Sequence, residues 1–189
     1  MTVRRAATRR SAASGASEAV TLKTLEAAIG SDGFYTQVAK LDPKNAAKWK
    51  TMVKVQQRFK VAEPSYRTDA ARTYSESNRE TLHRVTLKLL ERKKPGDDLY
   101  RAFVELHPAL FTENGAWKLP LDEQAAILSH TDPAMLLSNG NPVRLAEGLV
   151  TQDRWAPLVK EAADETRAAR KAKGLPVTKH APPKHGWLG

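Results

Sequence analysis

The chain has 189 residues, no cysteine and a formal net charge of +10, with 41% hydrophobic but only 6% aromatic residues. The lack of cysteine excludes a disulfide scaffold, a thiol nucleophile and any thiolate-held zinc or iron–sulfur centre. No apolar run approaches the ~18 residues of a membrane-spanning helix, and no apolar stretch follows the first arginines as a secretory signal requires.

The length suits one domain with tails, and the low aromatic content predicts a core built mostly of Ala, Leu and Val. The charge is sorted along the chain. Residues 1–95 carry a net +11, residues 96–165 a net −7 and residues 166–189 a net +6. Sorting of this kind speaks to association through opposite faces.

Residues 1–17 form a basic Ser/Ala/Arg-rich arm with Arg4, Arg5, Arg9 and Arg10 and no acid. Two readings stay open: a mitochondrial transit peptide, or a solvated basic arm. A helical domain spans 18–173. Ser17 is the expected cap of its first helix, which starts at Glu18, turns Leu22, Leu25 and Ile29 inward and stops at Gly30. Ser31-Asp32-Gly33 is a turn, and a short helix covers Phe34 to Leu41.

Asp42 and Pro43 then read as N-cap and first helical residue. The helix to about Val61 has one face of Trp49, Met52, Val53, Gln56 and Phe59, and Pro64 ends it. Thr68 to Leu90 reads as a polar segment that becomes a helix, with Leu82, Val85, Leu89 and Leu90 as its apolar face. After the charged stop at 91–96, Asp97 or Asp98 caps a helix that turns Leu99, Phe103 and Leu106 inward, and Pro108 breaks or kinks it.

Residues 111–121, with Asn114-Gly115 at their centre, are the one hairpin-like stretch. Short helices are expected at 122–129, 133–138 and 142–150. The last runs from about Arg154 to Lys173 and turns Trp155, Leu158, Val159 and Ala162 inward. Gly174 and Pro176 stop it. A Pro/His/Lys-rich tail fills 174–189. The expected fold class is all-α: an irregular bundle of about six to eight mostly short helices with extended basic N- and C-terminal tails.

No catalytic constellation emerges. His83, His107, His130, His180 and His185 hold no i, i+3 or i+4 pair, so no metal site is expected. Nucleophile and phosphate-loop motifs are missing, and no cofactor is implied. The carboxylates Asp97, Asp98, Glu105, Glu113, Asp122, Glu123 and Asp132 read mainly as helix-starting acids.

Two binding candidates remain. In the basic helix, Lys44, Lys48, Lys50, Lys54 and Arg58 face an acidic protein, a phosphate backbone or the chain's own acidic segment 96–165. Trp49 and Phe59 there read as core anchors, with base stacking as the alternative. In the tail, Trp187 and Leu188 are the expected anchor for a partner pocket. Leu99-Tyr100-Arg101 resembles the tripeptide of the mitochondrial LYR-motif proteins, small basic helical accessory factors. In that family it opens the first helix near the N-terminus. Here it follows 98 residues and two acids, so the family is not carried over.

The functional expectation is a non-catalytic accessory subunit of a large assembly. Its partners are other protein subunits and acidic surfaces, and its place is the matrix side of a mitochondrial respiratory or ATP-synthase complex, or otherwise the cytoplasm. The alternatives are an RNA- or DNA-binding protein such as a ribosomal subunit, and an enzyme of unknown type.

Overall fold

The computed structural model describes residues 19–130 and 152–178. Among these residues the chain is all-helical, with no strand. Its helices are α1 (Leu22–Ala27), α2 (Phe34–Leu41), α3 (Ala46–Ala62), α4 (Asp69–Arg92), α5 (Leu99–Glu105), α6 (His107–Glu113), α7 (Leu121–Ser129) and α8 (Gln152–Ala172). Helices α3, α4 and α8 are long and the other five are short. The expected helices at 133–138 and 142–150, and the arm 1–17, lie outside the described residues.

Helix α1 begins later than expected. Thr21 rather than Ser17 caps it, accepting the Thr24 N–H at 3.2 Å, while Thr24 Oγ1 accepts the Thr21 N–H at 2.9 Å. This reciprocal box satisfies two amides that the helix leaves unpaired. Leu22 therefore stands in the first turn and is exposed, and Leu25 carries the burial. Helix α2 falls where the sequence places it.

Asp42 is not the cap it was expected to be, because Pro43–Asn45 is a 3-10 turn and the Asp42 side chain holds no backbone amide. Its carboxylate instead accepts Trp49 Nε1–H and Asn45 Nδ2–H, each at 2.9 Å, and Lys93 Nζ at 3.2 Å. Burial acts to raise the pKa of this group; the three donors outweigh it and hold the carboxyl below its ordinary value. A buried indole N–H needs an acceptor, and Asp42 supplies it.

Helix α4 is the centre of the fold: α1, α5 and α8 all pack on it, α2 packs on α3, and α6 packs on α8. It is helical from Asp69, with Thr68 as its cap at 3.1 Å from the Ala71 N–H. Much of its buried face is polar: Ser75, Ser77, Thr81, His83 and Thr86. Thr81 and Thr86 can be buried because each hydroxyl donates to the carbonyl four residues back, at 2.8 and 2.7 Å. Thr81 Oγ1 also lies 3.2 Å from Thr166 Oγ1 of α8, whose own proton goes to the Ala162 carbonyl, so two small side chains bring these helices close together.

The hairpin-like stretch is helical. Helix α6 occupies 107–113, and Gly115 ends it with φ 72, followed by a 3-10 turn at Ala116–Lys118. Asn114-Gly115 thus serves as a helix stop, since a left-handed glycine suits a helix end as well as a hairpin. Pro108 sits in the first turn of α6, where its missing N–H costs nothing. Helix α8 ends in a Schellman motif: Leu175 N–H meets the Arg170 carbonyl at 2.9 Å and Gly174 N–H that of Lys171 at 3.0 Å.

The core is mostly Ala, Leu and Val, as expected, and it is built around an aromatic centre. Five of the twelve aromatic residues, Phe34, Tyr35, Trp49, Tyr100 and Phe103, gather in one hub with His83. Aliphatic residues of α1, α4, α5, α6 and α8 surround it. A second, smaller cluster joins Tyr66, Ala71 and Tyr74 to Leu119 and Ile127.

Candidate interaction surface

Helix α3 has two unlike sides. Its inner side is Trp49, Met52, Val55 and Gln56, all buried. The Trp49 ring is fully buried, 5.2 Å edge-on from both Tyr100 and Phe103 and stacked 5.9 Å from Tyr35. It is a core anchor with no face left for a nucleic-acid base. Phe59 is half-buried against the second cluster.

Gln56 shows why this side cannot turn outward. Its Nε2 donates to the Ser31 carbonyl at 3.0 Å, its Oε1 lies 3.2 Å from His83 Nε2, and the Gly30 N–H donates to His83 Nδ1 at 2.9 Å. The Gly30 contact makes Nδ1 an acceptor, so Nε2 carries the proton and gives it to Gln56. This chain of bonds ties the α1–α2 turn to α3 and α4. Burial of His83, with a smaller push from Arg79, lowers its pKa to about 3 and keeps the ring neutral. Gln56 belongs to the expected inner face, but its partners are 25 and 27 residues away and leave no local signal.

The outer side carries the charge. Lys50, Lys54 and Arg58 recur every fourth residue, so they form one exposed row rising about 6 Å per step. Gln57 and the strongly exposed Val61 stand beside the row. The other two predicted lysines lie elsewhere. Lys44 is exposed in the 3-10 turn, and half-buried Lys48 holds its ammonium 5.2 Å above the Tyr100 ring. That position gives Lys48 a cation–π partner inside the molecule. Lys60, off the row, pairs with Asp32 at 2.6 Å.

No Asp or Glu occurs in residues 46–62. Like charges at i, i+4 destabilise a helix by about 0.2–0.5 kcal/mol per pair, so this row works against α3's own stability. Lys50 and Lys54 form no hydrogen bond or ion pair with any described residue.

Several described acids of segment 96–165 engage other partners. Glu161 and Glu165 meet Arg84, Lys88 and Arg92 of α4. Asp164 meets Lys160 and Arg167, and Asp122 pairs with Arg67. Asp98 caps α5 as expected, through the Arg101 N–H at 3.1 Å. Asp97 instead accepts the Lys94 N–H at 2.8 Å within the loop. Asp122 and Glu123 stand in the first turn of α7, and buried Glu123 also accepts the Thr68 N–H at 2.9 Å. Glu105 and Glu113 are corrections to the helix-start reading, since both end their helices. Glu105 is buried and pairs with Arg101 at 2.7 Å. Leu99 and Tyr100 lie in the core.

Asp132, His180, His185 and the tail anchor Trp187 and Leu188 lie outside the described residues. Among the described residues no group of three His, Asp or Glu side chains is gathered as a metal site needs, and no helix is long and apolar enough to cross a membrane. No protein-family model matches the chain, and no curated protein or solved structure is significantly similar to it.

Proposed function

We propose that this protein is a non-catalytic accessory subunit of a macromolecular assembly, docked through the outer row of α3 onto an acidic protein surface. One observation carries this reading: Lys50 and Lys54 stand exposed without a counter-charge among the described residues, in a helix that contains no acid, while cations on α4 are paired. A row that weakens its own helix makes physical sense where a partner supplies the opposite charge.

Burial of Trp49 favours protein over single-stranded nucleic acid, whose non-specific binders add aromatic platforms to charge. A phosphate backbone is the second reading, supported by the sequence pI of about 9.9. The acid-free arginine arm at 1–17 supports placing the assembly on the matrix side of a mitochondrial complex.

Native fractionation of the endogenous protein tests the reading. Co-migration with other subunits, lost on Lys50→Glu/Lys54→Glu, is the expected result. Migration as a free 20.9 kDa chain would sink it. Co-migration that nuclease abolishes would favour the phosphate reading.

A further inference from the structure

Helix α1 grips the fold lightly. It has six residues, far below the ~12–15 that an isolated helix needs, and Leu25 is its one buried side chain. Among the described residues its side-chain hydrogen bonds stay inside the Thr21–Thr24 capping box. The turn that follows is held at three successive residues. Gly30 N–H donates to His83 Nδ1 at 2.9 Å, the Ser31 carbonyl accepts from Gln56 Nε2 at 3.0 Å, and Asp32 pairs with Lys60 at 2.6 Å. The last pair is exposed and adds little.

His83 and Gln56 also bond to each other, so the two side chains and two neighbouring backbone groups close a ring of hydrogen bonds. Both side chains are buried, and breaking the ring strands their polar atoms. Beyond the turn the chain is fixed differently. Phe34 is fully buried and stacks on the His83 ring at 4.0 Å, and Tyr35 stacks on Trp49 in the aromatic hub. Between the turn and this anchor stands Gly33, where a Cβ would meet nothing within 4 Å. It is the point with room to pivot.

We infer that residues 21–32 open and close as one unit hinged at Gly33, with the Gln56–His83 pair as their latch, while α2 and the other helices stay folded. The opening uncovers Leu25, Ala28 and half-buried Ile29 and breaks the ring of hydrogen bonds, but it leaves the stacked aromatic hub intact. It therefore costs less than unfolding the whole chain. The device carries the arm at 1–17 with it, since the arm is joined to the fold through this unit. It stands apart from the docking reading, because neither Lys50 nor Lys54 takes part.

Native-state hydrogen exchange of the full chain, followed amide by amide at neutral pH in low urea, tests this. The Leu25, Ala28, Gly30 and Ser31 amides are each hydrogen-bonded. They are expected to share one opening, at least about tenfold more frequent than the one that exchanges the interiors of α4 and α8. Val159→Ala alters the part that stays folded. It should lower the protection of α4 and α8 by about tenfold and leave those amides of the unit within about twofold. Gln56→Met removes the latch and should lower the unit's protection by about fivefold or more. Unit amides that fall together with α4 and α8 in Val159→Ala overturn the inference, because they then exchange only by global unfolding. Protection that climbs in steps from Leu25 to Ser31 overturns it too, as fraying from the chain end. Unchanged protection of the unit in Gln56→Met removes the latch. The first two outcomes are read with the latch intact, so the test does not require Gln56→Met to fold.

Discussion

The α4–α8 seam and the outer side of α3 use the same residue types at the same spacing and end in opposite states. In the seam, Arg84, Lys88 and Arg92 are matched across the interface, and buried Arg170 donates from Nη1 to Glu80 at 2.6 Å, from Nη2 to Glu76 at 2.7 Å and from Nε to the Pro176 carbonyl at 2.8 Å. On α3 Lys50 and Lys54 are exposed and meet no counter-charge among the described residues. The seam's charges close two helices and the chain after them onto each other. Lys50 and Lys54 hold nothing among the described residues, although the helix that carries them is anchored deep in the core. Position relative to a counter-charge, rather than composition, separates the ion-pair row of α4 from the exposed lysines of α3.

The largest expected effect tests the anchoring of α3. Trp49→Ala removes the ring at the centre of the aromatic hub and leaves the Asp42 carboxylate without its indole donor. A loss of about 3–5 kcal/mol in urea unfolding is expected for a buried tryptophan. A loss under about 1 kcal/mol would show that the inner side of α3 is not the core contact described here.

Breaking the seam at its most buried charge comes next. Arg170→Ala should cost about 2–3 kcal/mol, less than the ~3–5 kcal/mol for a fully buried pair because Glu76 keeps water. The variant should also release residues 175–178, read as faster proteolysis after α8, since the guanidinium holds the Pro176 carbonyl.

A third measurement concerns the lock between α3 and the α1–α2 turn. The His83 pKa is lowered to about 3, below its ordinary 6.5, so between those values the unfolded chain binds the proton and the folded chain does not. Stability is therefore complete above about pH 6.5 and falls as pH drops towards 3, by up to about 1.4 kcal/mol per pH unit. Between pH 7 and pH 5 a loss of about 2 kcal/mol is expected from this group. His107, whose pKa burial also lowers, adds in the same direction. His83→Gln should flatten the profile, and an unchanged slope in that variant would dismiss the lock.

How far these contrasts were legible in the sequence depends on the range over which each is encoded. Helix α2 was legible to the residue because its apolar spacing and its stops are local. The basic side of α3 was legible in part: Lys50, Lys54 and Arg58 share one side of the helix, whereas Lys44 lies in the preceding 3-10 turn and Lys48 turns to Tyr100. Helix α4 was poorly legible, since a face of Ser75, Ser77, Thr81 and His83 looks like a solvent face until the back-bonded hydroxyls and the Gly30 contact are seen. Glycine at 115 misled because a hairpin turn and a helix end both need a left-handed residue. The ion pairs were illegible altogether: Lys88 and Glu161 are 73 residues apart. No local pattern could say that Glu161 and Glu165 answer α4 while Lys50 and Lys54 of α3 meet no counter-charge among the described residues.

The smallest expected change in stability makes the sharpest contrast between the two rows. Lys54→Glu places an acid between Lys50 and Arg58, replacing two like-charge i, i+4 pairs with two opposite-charge ones. The isolated protein should gain about 0.5–1 kcal/mol, a gain that shrinks in high salt. The same reversal in the α4 row, Lys88→Glu, sets a new anion against Glu161 and Glu165 and should destabilise by about 1–2 kcal/mol. Assembly should respond in the opposite sense: the more stable Lys54→Glu chain is the one excluded from its complex. A surface that served only its own fold would not lose its function as its helix became more stable. Lys54→Glu entering the complex at the native level would place the α3 row among ordinary solvated lysines.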